Sequence, residues 1–163
     1  MNTSIILIGG NLGNRVEHLQ QARELIHAKA GEITAQSALY ETAPWGNVQQ
    51  PDYLNQALQI TTSLDPAALL AVTSSIEQEI GRVRQEKWGA RVIDIDIIFF
   101  NNVVIQSPQL ELPHPRMHLR RFVLVPMADI VPSYQHPLLH KSVAELLHEC
   151  PDHLPVHTFV PVQ

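Results

Sequence analysis

Cysteine is nearly absent from this 163-residue chain. Cys150 stands alone, so no internal disulfide framework can staple the fold, and its place behind a short C-terminal apolar stripe reads as packing rather than nucleophilic chemistry. Long apolar runs are also missing. The run Ile5 to Ile8 is far too short for a signal peptide or a membrane span. The expectation is an intracellular, cytoplasmic protein that engages no membrane. Charged residues make up only 17% against 45% apolar, which is globular rather than disordered composition. A net charge of −5 argues against a general nucleic-acid binder. The first turn, Gly9-Gly10-Asn11-Leu12-Gly13-Asn14, lacks the Gly-Lys-Ser/Thr ending of a nucleotide-binding P-loop. Nine histidines are present, but none has zinc-site spacing: His148-Glu149 lacks the second histidine of a zincin helix, and no cysteine pairs exist. His136, His140, His148, His153 and His157 read as surface residues.

What is present is concentrated in one stretch. From Val92 to Phe100 the chain is dense in β-branched and aromatic residues and reads as a strand. Strict alternation puts Ile93, Ile95, Ile97 and Phe99 on one face, and Asp94, Asp96, Ile98 and Phe100 on the other. Two carboxylates thus stand ~7 Å apart on one face. Like charges that close, in a partly dry place, raise each other's pKa unless a cation relieves them. Hard oxygen ligands suit magnesium; the alternative is a strand emerging into solvent. The charge distribution favours the cation. Arg82, Arg84, Lys87, Arg91, Arg116, Arg120 and Arg121 make the window from 82 to 121 net +3, while the rest of the chain is −8. Arginine suits bidentate phosphate contacts, so the pattern suggests a metal-bound polyphosphate. His114, between Pro113 and Pro115 inside this window, is either a corner residue or a neutral donor to phosphate.

The rest of the chain divides into elements. Ser4 to Gly9 reads as a strand. Asn14 caps a helix whose apolar face is Val16, Leu19, Ala22, Leu25 and Ile26, stopped by Gly31. Ile33 to Thr42 reads as one strand, Ala43 to Asp52 as a loop containing Trp45, and Tyr53 to Thr62 as a strand. Asp65-Pro66 opens a helix striped by Leu69, Val72, Thr73, Ile76 and Ile80. Residues Arg82 to Arg91 form a charged loop, expected to be mobile until it closes over bound phosphates. The order strand, helix, strand, strand, helix, strand predicts an α+β fold with a ferredoxin-like βαββαβ core, followed by a C-terminal extension of short strands and helices. In that extension Asn101-Asn102 reads as a hairpin turn with Val103 to Ile105 returning along the strand. Phe122 to Val125 reads as another strand. Ser142 with Glu145 reads as a capping box, and the tail from Asp152 as loosely packed.

Several short motifs occur in an order shared with a known family. They are Gly9-Gly10-Asn11-Leu12-Gly13, Tyr40-Glu41-Thr42-Ala43-Pro44-Trp45-Gly46, Gln50-Pro51-Asp52-Tyr53-Leu54-Asn55, Glu77 with Gly81-Arg82-Val83-Arg84, Trp88 through Asp96, and Pro113-His114-Pro115 with Arg120 and Phe122. In this set the chain resembles the 6-hydroxymethyl-7,8-dihydropterin pyrophosphokinases of folate biosynthesis. The resemblance runs to about Pro126. It implies one pyrophosphokinase domain over residues 1–163, acting as a monomer on ATP and a reduced hydroxymethylpterin. It implies two Mg2+ ions on Asp94 and Asp96, with Arg82 and Arg91 as further catalytic groups. It implies an ATP site of Glu77, Arg82, Arg84, Trp88, Arg91, Ile97, His114 and Arg120. The implied pterin site is Thr42, Pro44, Trp45, Tyr53, Asn55 and Phe122. Two other readings stand beside it: a nucleotidyl- or glycosyltransferase using Asp-x-Asp, and a non-catalytic ferredoxin-like sensor.

Overall fold

The computed structural model describes residues 1–44, 49–81 and 92–161. In chain order the described elements are β1 (Asn2–Gly10), α1 (Arg15–Lys29), β2 (Glu32–Gln36), β3 (Leu39–Thr42), β4 (Tyr53–Thr62), α2 (Pro66–Gly81), β5 (Asp94–Phe100), β6 (Ile105–Gln106), β7 (Glu111–Leu112), α3 (Arg121–Ile130), α4 (Val143–Glu149) and β8 (Val156–Phe159), with a short 3-10 helix at Met117–Leu119. One antiparallel sheet runs β5-β1-β4-β3-β8, and β2 also pairs with β4. Reading β2 and β3 together as the second strand, this is the βαββαβ arrangement expected, in an α+β fold.

Both faces of the sheet are covered, and β1 shows why its sequence is apolar throughout. Ile6 and Ile8 point to the core under α1 and α2, whereas Ile5 and Leu7 point to the core under α3 and α4. Asn14 accepts from the Glu17 N–H and starts α1, and Asp65 accepts from the Ala68 N–H and starts α2. These caps satisfy donors that helix starts leave open. Leu19, Ala22 and Ile26 of α1 meet Leu69, Ile76 and Ile80 of α2 in one buried cluster.

Six expectations need correction. The strand expected over Ile33 to Thr42 is two strands, because Ser37 interrupts it: its hydroxyl accepts the Ala57 N–H at 2.9 Å in place of a ladder carbonyl. Strict alternation fails in β5. Ile6 pairs with Ile97 and Ile5 with Phe99, so Ile98 is an extra residue in a β-bulge. Beyond it Phe99 turns to the α3 side and Phe100 to the α1/α2 side. Asn101 does make a turn, with φ of 48°, but Ile105–Gln106 pairs with Glu111–Leu112 rather than with β5. Phe122 to Val125 lies in helix α3, where Pro126 is accommodated inside the helix. The tail is not loose: β8 extends the sheet along β3. Among the histidines, His136 is buried, its Nδ1 accepting from the Leu138 and Leu139 N–H groups. The Ser142–Glu145 capping box forms with both of its hydrogen bonds.

Helix α3 covers the site face, and Asp129 fastens its far end to β3. Asp129 accepts from the Tyr40 hydroxyl at 2.8 Å and from the Ala38 N–H at 3.2 Å. Burial, the hydrogen bond to Asp129 and its negative charge push the Tyr40 phenol up to about 12. A folded-state pKa raised above the ordinary 10 adds stability that is fully present below pH 10 and is lost as pH rises toward 12. Urea midpoints of the wild type and Tyr40→Phe should therefore differ most near pH 8 and draw together as pH rises from 10 toward 12. A pH-independent difference would mean that the phenol contributes packing only.

Candidate functional site

The register of β1 builds the site. Gly9 lies opposite Asn55 on one side and Asp94 on the other; two residues earlier, Leu7 lies opposite Ala57 and Asp96. Two rows across three strands thus bring an amide and two carboxylates to one face. Only glycine fits between the ends of the first row. A Cβ on Gly9 would lie 2.0 Å from Asn55 Oδ1 and 3.0 Å from the Leu54 carbonyl oxygen. Above this floor α3 brings Phe122 and Val123, while the end of β3 brings Thr42 to Pro44. Together they enclose a cavity of about 380 Å3.

Nine expected site residues line this cavity: Thr42, Pro44, Tyr53, Asn55, Asp94, Asp96, His114, Arg120 and Phe122. Two do not. Glu77, on α2, accepts the Ile95 N–H at 2.7 Å and so fastens the outer edge of β5. The Ile97 side chain is buried in the core beneath α1 and α2. Trp45, Arg82, Arg84, Trp88 and Arg91, with the closing-loop expectation attached to them, lie outside the described residues. The cavity also includes Leu7, Gly9, Ala43, Gln50, Ile98 and Val123, which received no role from sequence. Gly9 carried a usable signal, because glycine inside a strand marks a close approach. Val123 did not, since reading 122–125 as a strand sends its side chain away from that of Phe122.

The polar groups divide by position. Asn55 is buried, and among the described residues its Nδ2 has no hydrogen-bond partner. An unmet buried donor costs about 1–3 kcal/mol unless a ligand accepts from it. Phe122, half-buried, lines the same cavity, and the Arg120 guanidinium lies 5.8 Å from the Phe122 ring centroid. Asp94 is half-buried and Asp96 exposed. His114 is set by the bulge, because its N–H donates to the Ile98 carbonyl at 3.0 Å. Its Nδ1 accepts from the Arg116 N–H at 3.3 Å, which leaves Nε2 to carry the proton as a donor. Burial, then the positive charges of Arg120 and Arg116, lower the His114 pKa against a smaller opposing effect of Glu111. The imidazole is therefore neutral at pH 7, suited to donating rather than to acting as a second cation. At the loop end, Asn11 is buried and donates to Gln50 Oε1 and the Pro51 carbonyl, tying the 49–52 segment to the end of β1.

A family model described as 7,8-dihydro-6-hydroxymethylpterin-pyrophosphokinase matches residues 5–132. The 2-amino-4-hydroxy-6-hydroxymethyldihydropteridine pyrophosphokinase of Bacillus subtilis is 46% identical over 130 residues, spanning 79% of this chain and 78% of the relative. The enzyme of the same name from Haemophilus influenzae is 38% identical over 154 residues, 94% of this chain and 96% of the relative. In fold, the chain is similar to the Plasmodium falciparum HPPK-DHPS structure with pterin and p-hydroxybenzoate, with a TM-score of 0.77 at 20% identity, over 91% of this chain and 43% of that one.

The lowered His114 pKa yields a direct check. In a proton-detected imidazole titration, His114 should titrate below 6.5. Arg120→Ala should move the midpoint up, because one of the cations opposing protonation is gone. An unmoved midpoint would leave burial and Arg116 as the causes.

Proposed function

Because the chain belongs to the 7,8-dihydro-6-hydroxymethylpterin-pyrophosphokinase family, we propose that this cavity transfers the pyrophosphoryl group of ATP to the hydroxymethyl group of 6-hydroxymethyl-7,8-dihydropterin. The products are AMP and the pterin diphosphate, in folate biosynthesis. The observation that carries this reading is one cavity whose lining combines two chemically distinct sets of residues. An unmet amide donor and an aromatic wall suit the edge and face of a flat heterocycle. Paired carboxylates beside a neutral histidine and an arginine suit a metal-bound phosphate chain.

In the first set, Asn55 Nδ2 donates to an acceptor on the pterin edge while Phe122 and Tyr53 bound the ring. Thr42, Pro44 and Trp45 complete that pocket. In the second set, the donors fit magnesium. Asp94 and Asp96 offer hard oxygens on one strand face, and the described residues contain no cluster of three or more His, Cys, Asp or Glu able to hold a metal. A pair of carboxylates leaves most of an octahedral shell to water and phosphate oxygens, which is how magnesium is commonly held beside nucleotides. In this reading Asp94 and Asp96 hold two Mg2+ ions together with ATP. When bound, magnesium would neutralise charge on the triphosphate and polarise the transferring group.

The protein's own groups do the rest. His114 Nε2–H and Arg120 bind phosphate oxygens. Arg82, Arg84 and Arg91 neutralise the groups that depart together, and Trp88 and, through its backbone alone, Ile97 contribute to the nucleotide site. Glu77 acts from the back of β5, holding the strand that carries the carboxylates. The reading takes the protein to work as a cytoplasmic monomer. No helix among the described residues is long and apolar enough to cross a membrane.

Phosphorus NMR of a completed reaction should show AMP and pterin diphosphate in equal amounts, whereas ADP with a pterin monophosphate would refute the pyrophosphoryl transfer. Asp96→Asn should lower turnover by several orders of magnitude with the fold intact. Near-normal turnover at saturating magnesium would remove Asp96 from the metal site. Asn55→Ala should weaken pterin binding by about 1–3 kcal/mol while sparing ATP. Calorimetry showing equal losses for both ligands would make Asn55 structural.

A further inference from the structure

We propose that Asp152, beyond the stretch matched by the family model, is a positioning residue that holds Phe122 in place for the pterin. The proposal rests on the pterin-binding reading above. Helix α3 begins at Arg121, and Arg120 before it supplies no side-chain cap. The first N–H groups of a helix need acceptors from elsewhere. Here the acceptor comes from 31 residues downstream: the Arg121 N–H donates to Asp152 Oδ2 at 2.9 Å. The second oxygen, Oδ1, accepts from the Leu154 N–H at 3.0 Å, so the carboxylate is itself held rigid. Asp152 is only 9% exposed.

The position of this anchor matters more than its strength. It grips the backbone beside Phe122, whose side chain lines the cavity, while Arg120 is held separately by its own N–H to the Met117 carbonyl at 3.4 Å. Just downstream, β8 begins with Val156 paired to Thr42, on the facing wall. Residues 152–156 therefore span from the start of α3 to the end of β3. Without the Asp152 anchor the first turn of α3 frays, and Phe122 occupies its cavity position for only part of the time. Apparent affinity falls in proportion to the fraction of molecules that are binding-competent. Such a loss acts on pterin binding and leaves the phosphate-transfer groups on β5 in place.

The test uses the full-length protein, with Asp152→Ala and Asp152→Asn. Asp152→Ala should raise the pterin KM and Kd roughly fivefold to thirtyfold, with kcat and the ATP KM within about twofold. Asp152→Asn keeps one acceptor oxygen and should recover most of the loss. Amide hydrogen exchange without ligand should quicken in Asp152→Ala at Phe122 to Leu124 and stay slow at Met127 to Ile130, which Asp129 holds. Equal weakening of ATP and pterin, unchanged exchange at Phe122 to Leu124, or an asparagine variant as damaged as the alanine one would each overturn the proposal. Pterin binding by the wild type separates the two ideas. Its absence would overturn the pterin reading, while the exchange experiment would still decide whether Asp152 anchors α3.

Discussion

The register of β1 between β4 and β5 is the constraint on which the site depends. Side chains on a sheet alternate, so a slip of one residue would send Asn55, Asp94 and Asp96 to the opposite face, into the core under α1 and α2. The register is held by burial on both faces: Ile6 and Ile8 fill one core, Ile5 and Leu7 the other. Neither pair can exchange places without opening cavities, which cost several kcal/mol for residues of this size. A binding face is thereby fixed by packing that takes no part in binding. Gly9 completes the arrangement by leaving the space that Asn55 needs.

The bulge at Ile98 has a second consequence. It ends the alternation that carries Asp94 and Asp96, so Phe99 joins the α3 side and stacks on Tyr134 at 4.6 Å. Ile98 itself offers the carbonyl that holds His114. One extra residue in an edge strand therefore sets the end of the carboxylate row and the placement of the imidazole. The strand, the proline-flanked corner and the aromatic pair beneath α3 form one mechanical unit, and Glu77 steadies it from the other edge.

Much of this was legible in the sequence where local patterns decide the outcome. The caps at Asn14, Asp65 and Ser142, the apolar stripes of α1 and α2, and the strands β1 and β4 follow from side chains interacting within a few residues. The failures have a common physical origin. The bulge at Ile98, the break at Ser37, the helix at Phe122 and the pairing of β8 with β3 are settled by partners far away in the chain. Phe122-Val123-Leu124-Val125 has the β-branched and aromatic content of a strand, yet Asp152 and Asp129 make it part of a helix lying on the sheet. His136 reads as a surface residue from its neighbours, yet Phe99 and His118, distant in the chain, meet its ring edge-on and it is buried. The site itself was readable because its carboxylates are two residues apart on one strand. Gly9 gained a role only once its opposite neighbours were known.

A metal held at Asp94 and Asp96 would lie one strand away from Gly9 and two from Asn55, about 10 Å across the sheet at ~4.8 Å per strand. Paramagnetic relaxation tests this most directly, with Mn2+ in place of magnesium and a non-hydrolysable ATP analogue bound. The expected result is strong broadening of the Gly9 backbone and Asn55 side-chain amide signals, with Thr62 at the far end of β4 unaffected. Sharp Gly9 and Asn55 signals in the manganese-loaded protein would contradict it.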